Sequence, residues 1–539
     1  MSVRLSKLAI GRIGRVNHAR PPAALWLSAT LIAIAVLLPL GYLALRASGA
    51  GTELWSLLFR PRTLEILGRT VVLVIAVTGI SLAISLPLAW LTQRTDLPLR
   101  RMWSVLTVLP LVIPSYVVGF VIVAALGPRG ILQQALAGPF GLERLPEIYG
   151  FPGALLAVTL VAYPYILLPL QASIRGLDPR LEEVARSLGH GRWGTFRRVV
   201  LPQLRPAMAA GALLVALYAL RDFGAVSLLR YETFTWAIYL QYQTSFDRIL
   251  AAGLSLVLVV IAVVILFLEF RTRGKSQYHR AAASVSRSPA YSKLGRWRWP
   301  ALGFCALVVL IALVMPVSTL VYWVMHGFSA GEALWQTAGY ALNSAYVSGL
   351  AAAVTAIGAV SIAVLDVRYP SLFSRLLERV TYIGFALPGI VIALALVFFG
   401  ANYATPIYQT LVLLVFAYAV LFLPQAVGSI RSSLLQVSPR LEEAARSLGR
   451  TPLQTLTAVT LPLVRPGIMA GAGLVFLTTM KELPATLLLS PIGFKTLATS
   501  IWSATSEGSF ARAAFPAILL ILLSSVPMAF LMVREKRKN

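Results

Sequence analysis

The chain has a single cysteine, Cys305, and four scattered histidines, His18, His190, His279 and His326. One thiol builds no disulfide framework, and a zinc site needs Cys or His ligands at close spacing, so no metal site of that kind is expected. Acid is scarce too: 20 Asp plus Glu stand against 47 Lys plus Arg. Charged residues make up only 12% of 539 positions while 58% are hydrophobic. Three or four soluble domains of this length would lack polar surface, so the apolar excess must face lipid. A net charge of +27 raises the question of nucleic acid. The basic residues, however, lie between apolar runs rather than along one face with interleaved aromatics, and nucleic acid is not an expected partner.

Also missing is any machinery for chemistry. The nearest match to a phosphate-binding loop, Gly274-Lys275-Ser276, has Glu269 where the first glycine belongs and no preceding strand. No G-x-S-x-G nucleophile elbow occurs. The chain is therefore not expected to be an enzyme or to bind a cofactor.

What the sequence has in abundance is long apolar runs. A helix needs about 20 apolar residues to cross about 30 Å of hydrocarbon. About twelve runs qualify: Ala23 to Leu45, Thr70 to Leu91, Trp103 to Leu126, Pro152 to Ser173, Ala207 to Leu220 and Ile249 to Leu268, then Pro300 to Val324, Ala341 to Leu365, Val380 to Gly400, Ile407 to Gly428, Gly467 to Met480 and Ala513 to Val533. The fold class is an all-α polytopic membrane protein. Lys and Arg concentrate in alternate connections, beginning with Arg4, Lys7, Arg12, Arg15 and Arg20 and ending with Arg534, Lys536, Arg537 and Lys538. By the positive-inside rule both termini are cytoplasmic.

An internal repeat divides the runs. PRLEEVARSLG at Pro179 to Gly189 returns as PRLEEAARSLG at Pro439 to Gly449, an offset of 260 that also pairs Pro164 with Pro424 and Asp222 with Glu482. Upstream the offset is 274, pairing Thr70 with Ser344 and Pro114 with Pro388. Two six-span halves in the same orientation imply a pseudo-twofold axis along the membrane normal. The expected organisation is a tail over 1–22, a first transmembrane domain over 23–270 with a cytoplasmic loop at 175–206, a basic linker over 271–298, a second domain over 299–533 with its loop at 431–466, and a tail over 534–539.

Each of those loops carries a segment too polar for the bilayer, with Arg180, Glu182, Glu183 and Arg186 in one and Arg440, Glu442, Glu443 and Arg446 in the other. Asp178-Pro179 and Ser438-Pro439 read as helix starts, and Gly189 and Gly449 as stops. A short rigid helix presented twice to the cytoplasm suits docking to a partner.

The spacing Glu183-Val184-Ala185, Gly189, Val199 and Leu201-Pro202, repeated as Glu443-Ala444-Ala445, Gly449, Val459 and Leu461-Pro462, resembles the E-A-A loop of ABC-importer permeases. Departures are Val184 for the first alanine and valine for isoleucine at 199 and 459. The resemblance implies a type I importer fold, two copies of a cytoplasmic ABC ATPase that consume ATP and magnesium, a periplasmic substrate-binding protein, and residence in the bacterial inner membrane. It assigns ATPase coupling to Glu182, Glu183, Ala185, Gly189, Leu201 and Pro202 and to Glu442, Glu443, Ala444, Ala445, Gly449, Leu461 and Pro462. Within the family, Asp222-Phe223-Gly224-Ala225-Val226 with Tyr231 to Tyr242, and Lys481-Glu482-Leu483-Pro484-Ala485-Thr486 with Gly493 to Trp502, look most like fused ferric-iron uptake permeases. Thiamine, polyamine and phosphonate permeases share the architecture.

Ionisable residues near the membrane are costly, which makes Arg221, Asp222, Lys481 and Glu482 candidates for a gate or pathway, with capping of their helices as the plainer alternative. Pro114, Pro164, Pro388 and Pro424 are candidate hinges, or simply static kinks. Tyr163, Tyr165, Tyr231, Tyr239 and Tyr242 offer oxygen ligands to a hard cation, although interfacial belts account for them as well. A secondary transporter of two six-span halves is the runner-up class; it needs mid-span acids that are nearly absent, and it leaves the repeated loop without a role.

Overall fold

The computed structural model describes residues 21–48, 56, 59–128, 130–141, 146–244, 248–274, 292–329 and 336–536. Most of both tails and of the basic linker lies outside the described residues. Within them the chain is helical throughout, and the one β-type contact is an isolated bridge between Thr95 and Ser292. This is the expected outcome in lipid, where each backbone amide must find its partner inside its own helix.

Ten described helical segments are long and apolar enough to cross a bilayer, from Ala23–Arg46 through Pro452–Met480. A bent pair, Leu372–Gly384 with Gly389–Tyr403, is long and apolar enough only when its two helices are taken together, as a broken span or a re-entrant loop, and Phe510–Ser525 is a shorter apolar helix. Each expected run has its counterpart, with two corrections. The runs Trp103 to Leu126 and Val380 to Gly400 are not straight spans. The first divides into Arg100–Leu106, a 3-10 turn at Leu109–Val112, and Ser115–Leu126. The second turns through 99° between its two helices.

Proline causes both breaks. The residues ahead of Pro114 and Pro388 are forced out of the helical region, Ile113 to ψ 123° and Leu387 to ψ 132°. Each proline then stands as the N-cap of a new helix. Of the four hinge candidates, Pro114 and Pro388 therefore mark chain breaks. Pro164 sits in the first turn of Pro164–Arg175, and Pro424 lies inside the unbroken helix Leu411–Leu434.

The two halves repeat in detail. Thr70 accepts a hydrogen bond from the Phe234 amide at 3.1 Å, and its counterpart Ser344 accepts one from Leu497 at 2.8 Å. They also exchange their first helices. Ala23–Ser48 packs on second-half helices, with Trp26 stacked on Phe373 at 5.2 Å and Tyr42 edge-on to Phe399 at 6.1 Å. Met315–Ser329 in turn packs against Ser115–Leu126 of the first half. The core runs continuously through both halves, dominated by small and branched side chains such as Ala124, Ala157, Val158, Ala393 and Leu394.

Candidate functional site: an inter-half cavity and two short polar helices

Both polar segments form the short helices that the sequence predicts, Pro179–Ser187 and Pro439–Ser447. The Asp178 carboxylate accepts from the Arg180 amide at 3.0 Å, whereas Ser438 makes no side-chain cap. Both helices end in a Schellman turn. Gly189 and Gly449 have φ of +86° and +84°, and the next amides, His190 and Arg450, reach back to the Ala185 and Ala445 carbonyls at 3.1 Å. A π-turn follows each helix at matching positions, Phe196–Val200 and Leu456–Thr460, and leads straight into Leu201-Pro202 and Leu461-Pro462.

The faces of these helices divide the sequence candidates. Ala185, Ala445 and Glu442 are buried and Glu182 nearly so, whereas Glu183, Glu443 and Ala444 are exposed. Glu182 pairs with Arg94, at the end of Pro61–Arg94, at 2.9 Å. Glu442 pairs with Arg368 at 2.8 Å and accepts from Thr460 at 3.1 Å. Glu182, Glu442, Ala185 and Ala445 therefore fix each helix to the membrane body. The outward face instead presents leucines that the sequence reading did not single out: Leu188 is 73% exposed and Leu448 85%, with Leu181 and Leu441 beside them. Their signal was available, since large apolar residues at helical spacing in so polar a segment face a partner when they do not face the core.

Each anchor is also covered by the other half's lead-in segment. Ser292, just ahead of the second half's first helix, joins Trp90, Arg94, Glu182 and Phe196 around the first anchor. Its backbone bonds to Arg94 and Asp96, and the Asp96 carboxylate caps the Leu294 amide at 2.8 Å. Leu25, from the first half, lies against Arg368, Tyr369 and Glu442 at the second anchor.

From each π-turn a helix, Leu201–Arg221 or Leu461–Met480, runs about 30 Å to the gate candidates. There the structure brings Arg221, Asp222, Lys481 and Glu482 together around one cavity of about 260 Å³ between the halves. Arg221 interacts electrostatically with Glu482 of the other half, and Lys481 donates to the Leu111 carbonyl at 3.3 Å, again across the halves. Capping holds as well: Asp222 accepts from the Ala225 and Val226 amides at 3.1 and 3.3 Å, and Glu482 from Ala485 at 3.3 Å. The two readings of these acids are thus compatible, because each carboxylate caps a short helix while bordering the cavity. Pro114 and Gly389 line the same space, so both chain breaks abut it. Phe223, also in the lining, belongs to an aromatic cluster with Trp236, Tyr239 and Trp502 that joins the halves, where Trp502 donates to Ser227 at 3.3 Å.

Of the five tyrosines named from sequence, only Tyr165 lines the cavity. Tyr163 is turned away and donates to Thr107 at 2.6 Å, and Tyr231 donates to Arg69 at 3.1 Å. Two others, Tyr116 and Tyr218, complete the lining. Tyr116 is placed by the chain break at Pro114 and Tyr218 by the helix Leu201–Arg221; which cavity they share is decided by packing between distant helices.

The family model for "Binding-protein-dependent transport system inner membrane component" matches residues 85–273 and again 355–538. The chain is 37% identical over 517 residues to the "Fe(3+)-transport system permease protein FbpB 2" of Haemophilus influenzae, covering 95% of this chain and 98% of that one. It is 23% identical to the "Ferric transport system permease protein FbpB" of Actinobacillus pleuropneumoniae, over 79% of this chain and 65% of the other. The "Molybdenum transport system permease protein ModB" of Escherichia coli is 32% identical over 167 residues, 30% of this chain and 72% of that shorter protein.

Proposed function

This chain belongs to the binding-protein-dependent inner-membrane transport family, as a fused permease of two halves, and we propose that its cargo is ferric iron. It is a multi-pass inner-membrane component of an ABC importer, a family whose description names the binding protein it depends on. The ferric cargo rests on the near full-length relative named for Fe(3+) transport, and the geometry fits it: both halves contribute a carboxylate, Asp222 and Glu482, to one cavity.

In this reading two copies of an ABC ATPase, supplied with ATP and magnesium, grip the exposed faces of Pro179–Ser187 and Pro439–Ser447 on the cytoplasmic side, where both termini also lie. Closure of the ATPases moves the coupling helices. The Arg94–Glu182 and Arg368–Glu442 pairs pass that motion to the membrane helices, and Leu201–Arg221 and Leu461–Met480 carry it to the cavity. Separation of Arg221 from Glu482 and of Lys481 from Leu111 would open the inter-half contact, with Pro114 and Pro388 as pivots. A loaded periplasmic binding protein shifts this equilibrium only by binding one state better than the other.

The test is uptake in proteoliposomes containing this chain, its ATPase and its binding protein. ATP-dependent accumulation of radioactive ferric iron, absent for thiamine, is expected. Accumulation of thiamine or molybdate without iron would overturn the cargo assignment and leave the importer assignment standing.

A further inference from the structure

Aligning the halves at their offsets of 260 and 274 shows that the cavity has two chemically different walls. Tyr116, Tyr165 and Tyr218 of the first half correspond to Ile390, Gln425 and Thr478 of the second. On the second wall the Thr478 hydroxyl has acceptors in the Leu474 carbonyl at 2.9 Å and the Gln425 side-chain oxygen at 3.2 Å, so it is partnered. On the first wall the Tyr116 hydroxyl is buried, at 3% residue exposure, and has no hydrogen-bond partner among the described residues. A buried hydroxyl without a partner is unfavourable, since it has given up water and gained nothing in return. The base of its side chain packs closely on Gly224, where an added Cβ would come within 2.6 Å of the Tyr116 Cβ.

Four oxygen-bearing groups cluster here. Tyr116 lies within electrostatic reach of Glu482 and of Tyr218, and Tyr218 within reach of Asp222. Two carboxylates and two phenols make a hard oxygen-donor set of the kind that suits a highly charged cation. Arg221 and Lys481 balance the two carboxylates, so these four ionisable residues together are formally neutral.

We propose that Tyr116, Tyr218, Asp222 and Glu482 form a transient site for the trivalent cargo, built on the phenolic wall of the first half. This deepens the ferric reading and rests on it. Arrival of the metal displaces Arg221 from Glu482 and links the emptying of the binding protein to the loosening of the inter-half contact. Tyr116 ligates through its oxygen, its proton released to water. With only two carboxylates and with two bases alongside, the site holds the ion briefly. That suits a pathway, which must release what it binds.

The experiment uses the full permease–ATPase–binding-protein complex in proteoliposomes, with radioactive ferric iron as the probe. Y116F keeps the ring and removes only the oxygen. Iron delivered per ATP hydrolysed is expected to fall about tenfold in Y116F and further in the Y116F/Y218F double variant, with Y346F, altered at an exposed tyrosine, matching the wild type. Ferric iron added to the permease–ATPase complex without binding protein should produce a visible phenolate-to-iron charge-transfer band that weakens in Y116F and is lost in Y116F/Y218F. A wild-type complex that imports iron, together with Y116F/Y218F at an unchanged iron-to-ATP ratio and no such band in the wild type, would overturn the site and spare the ferric reading. A wild-type complex that moves no iron would overturn both.

Discussion

Glu442 is buried beneath the second coupling helix, with Arg368 at 2.8 Å and Thr460 at 3.1 Å, and Arg368 also donates to the Val437 carbonyl at 3.1 Å. Both partners are nearly water-free, at 9% and 7% side-chain exposure. Removing one member of such a pair leaves the other charge buried and uncompensated, at a cost of about 3–5 kcal/mol. That cost falls on the docking of Pro439–Ser447 against the membrane body, a local contact, and not on the spans. E442A should therefore leave the protein inserted while amides in 439–447 exchange faster, by a factor on the order of a hundred or more. Iron import should uncouple from ATP hydrolysis. In the first half the Arg94–Glu182 ion pair at 2.9 Å is more open on its acid side, at 13% exposure; Val200 stands where Thr460 does in the second half, and the second partner is the exposed Arg186 at 3.6 Å. E182A should be milder. A double-mutant cycle of E442Q with R368M separates anchoring from direct contact with the motor. If Glu442 acts through Arg368, each single variant is about as damaged as the double. Unchanged exchange over 439–447 in E442A, with import intact, would refute the anchor.

Three further outcomes follow from the same structure. L448D and L188D change only exposed tips, and burial of one leucine on a partner is worth about 1.5–3 kcal/mol; ATPase co-purification with this chain should weaken by roughly tenfold or more while detergent-extracted permease keeps its melting temperature. G389A places a Cβ onto the Glu482 carboxylate and must displace it, so import should drop with insertion unaffected, as read by uptake against membrane abundance. D96A removes the cap on the Leu294 amide, worth about 1 kcal/mol, and limited trypsin digestion should cut after Lys293 roughly fivefold faster.

The spans, the repeat and the coupling helices were legible because each is written locally: twenty apolar residues, an eleven-residue motif given twice, a proline start and a glycine stop. Gly189 and Gly449 adopt the positive φ that their place after the helix demanded. The facing of those helices was only half legible. The family-like motif marks Glu182 and Glu183 together, yet the helical period of 3.6 turns one toward Arg94 and leaves the other in solvent. Least legible was the cavity wall. Tyr116 belongs to it only because Pro114 ends one helix and starts another, and Tyr163, equally suitable by composition, is claimed by the Thr107 carbonyl at 2.6 Å. Long-range packing decides such matters, and no window of sequence contains it.

The divergence between the halves shows which contacts are constrained as pairs. In the first half Gln171 approaches Thr92 at 3.5 Å; at the corresponding places of the second half Arg431 meets Asp366 at 2.7 Å. A neutral pair on one side has become an ion pair on the other, with both members changed together, as contact between them requires. Only the Asp366 side of that pair is buried, the Arg431 side chain being 43% exposed, so it is the carboxylate that most needs its partner. The coupling anchors behave differently: Arg94 and Arg368 face Glu182 and Glu442 with the same chemistry in both halves. The cavity between them differs instead, with one phenolic wall and one wall of Gln425 and Thr478. Exchange of the first helices ties the two regimes together, because the lead-in of each half rests on the coupling anchor of the other. Movement of either coupling helix must therefore disturb both halves.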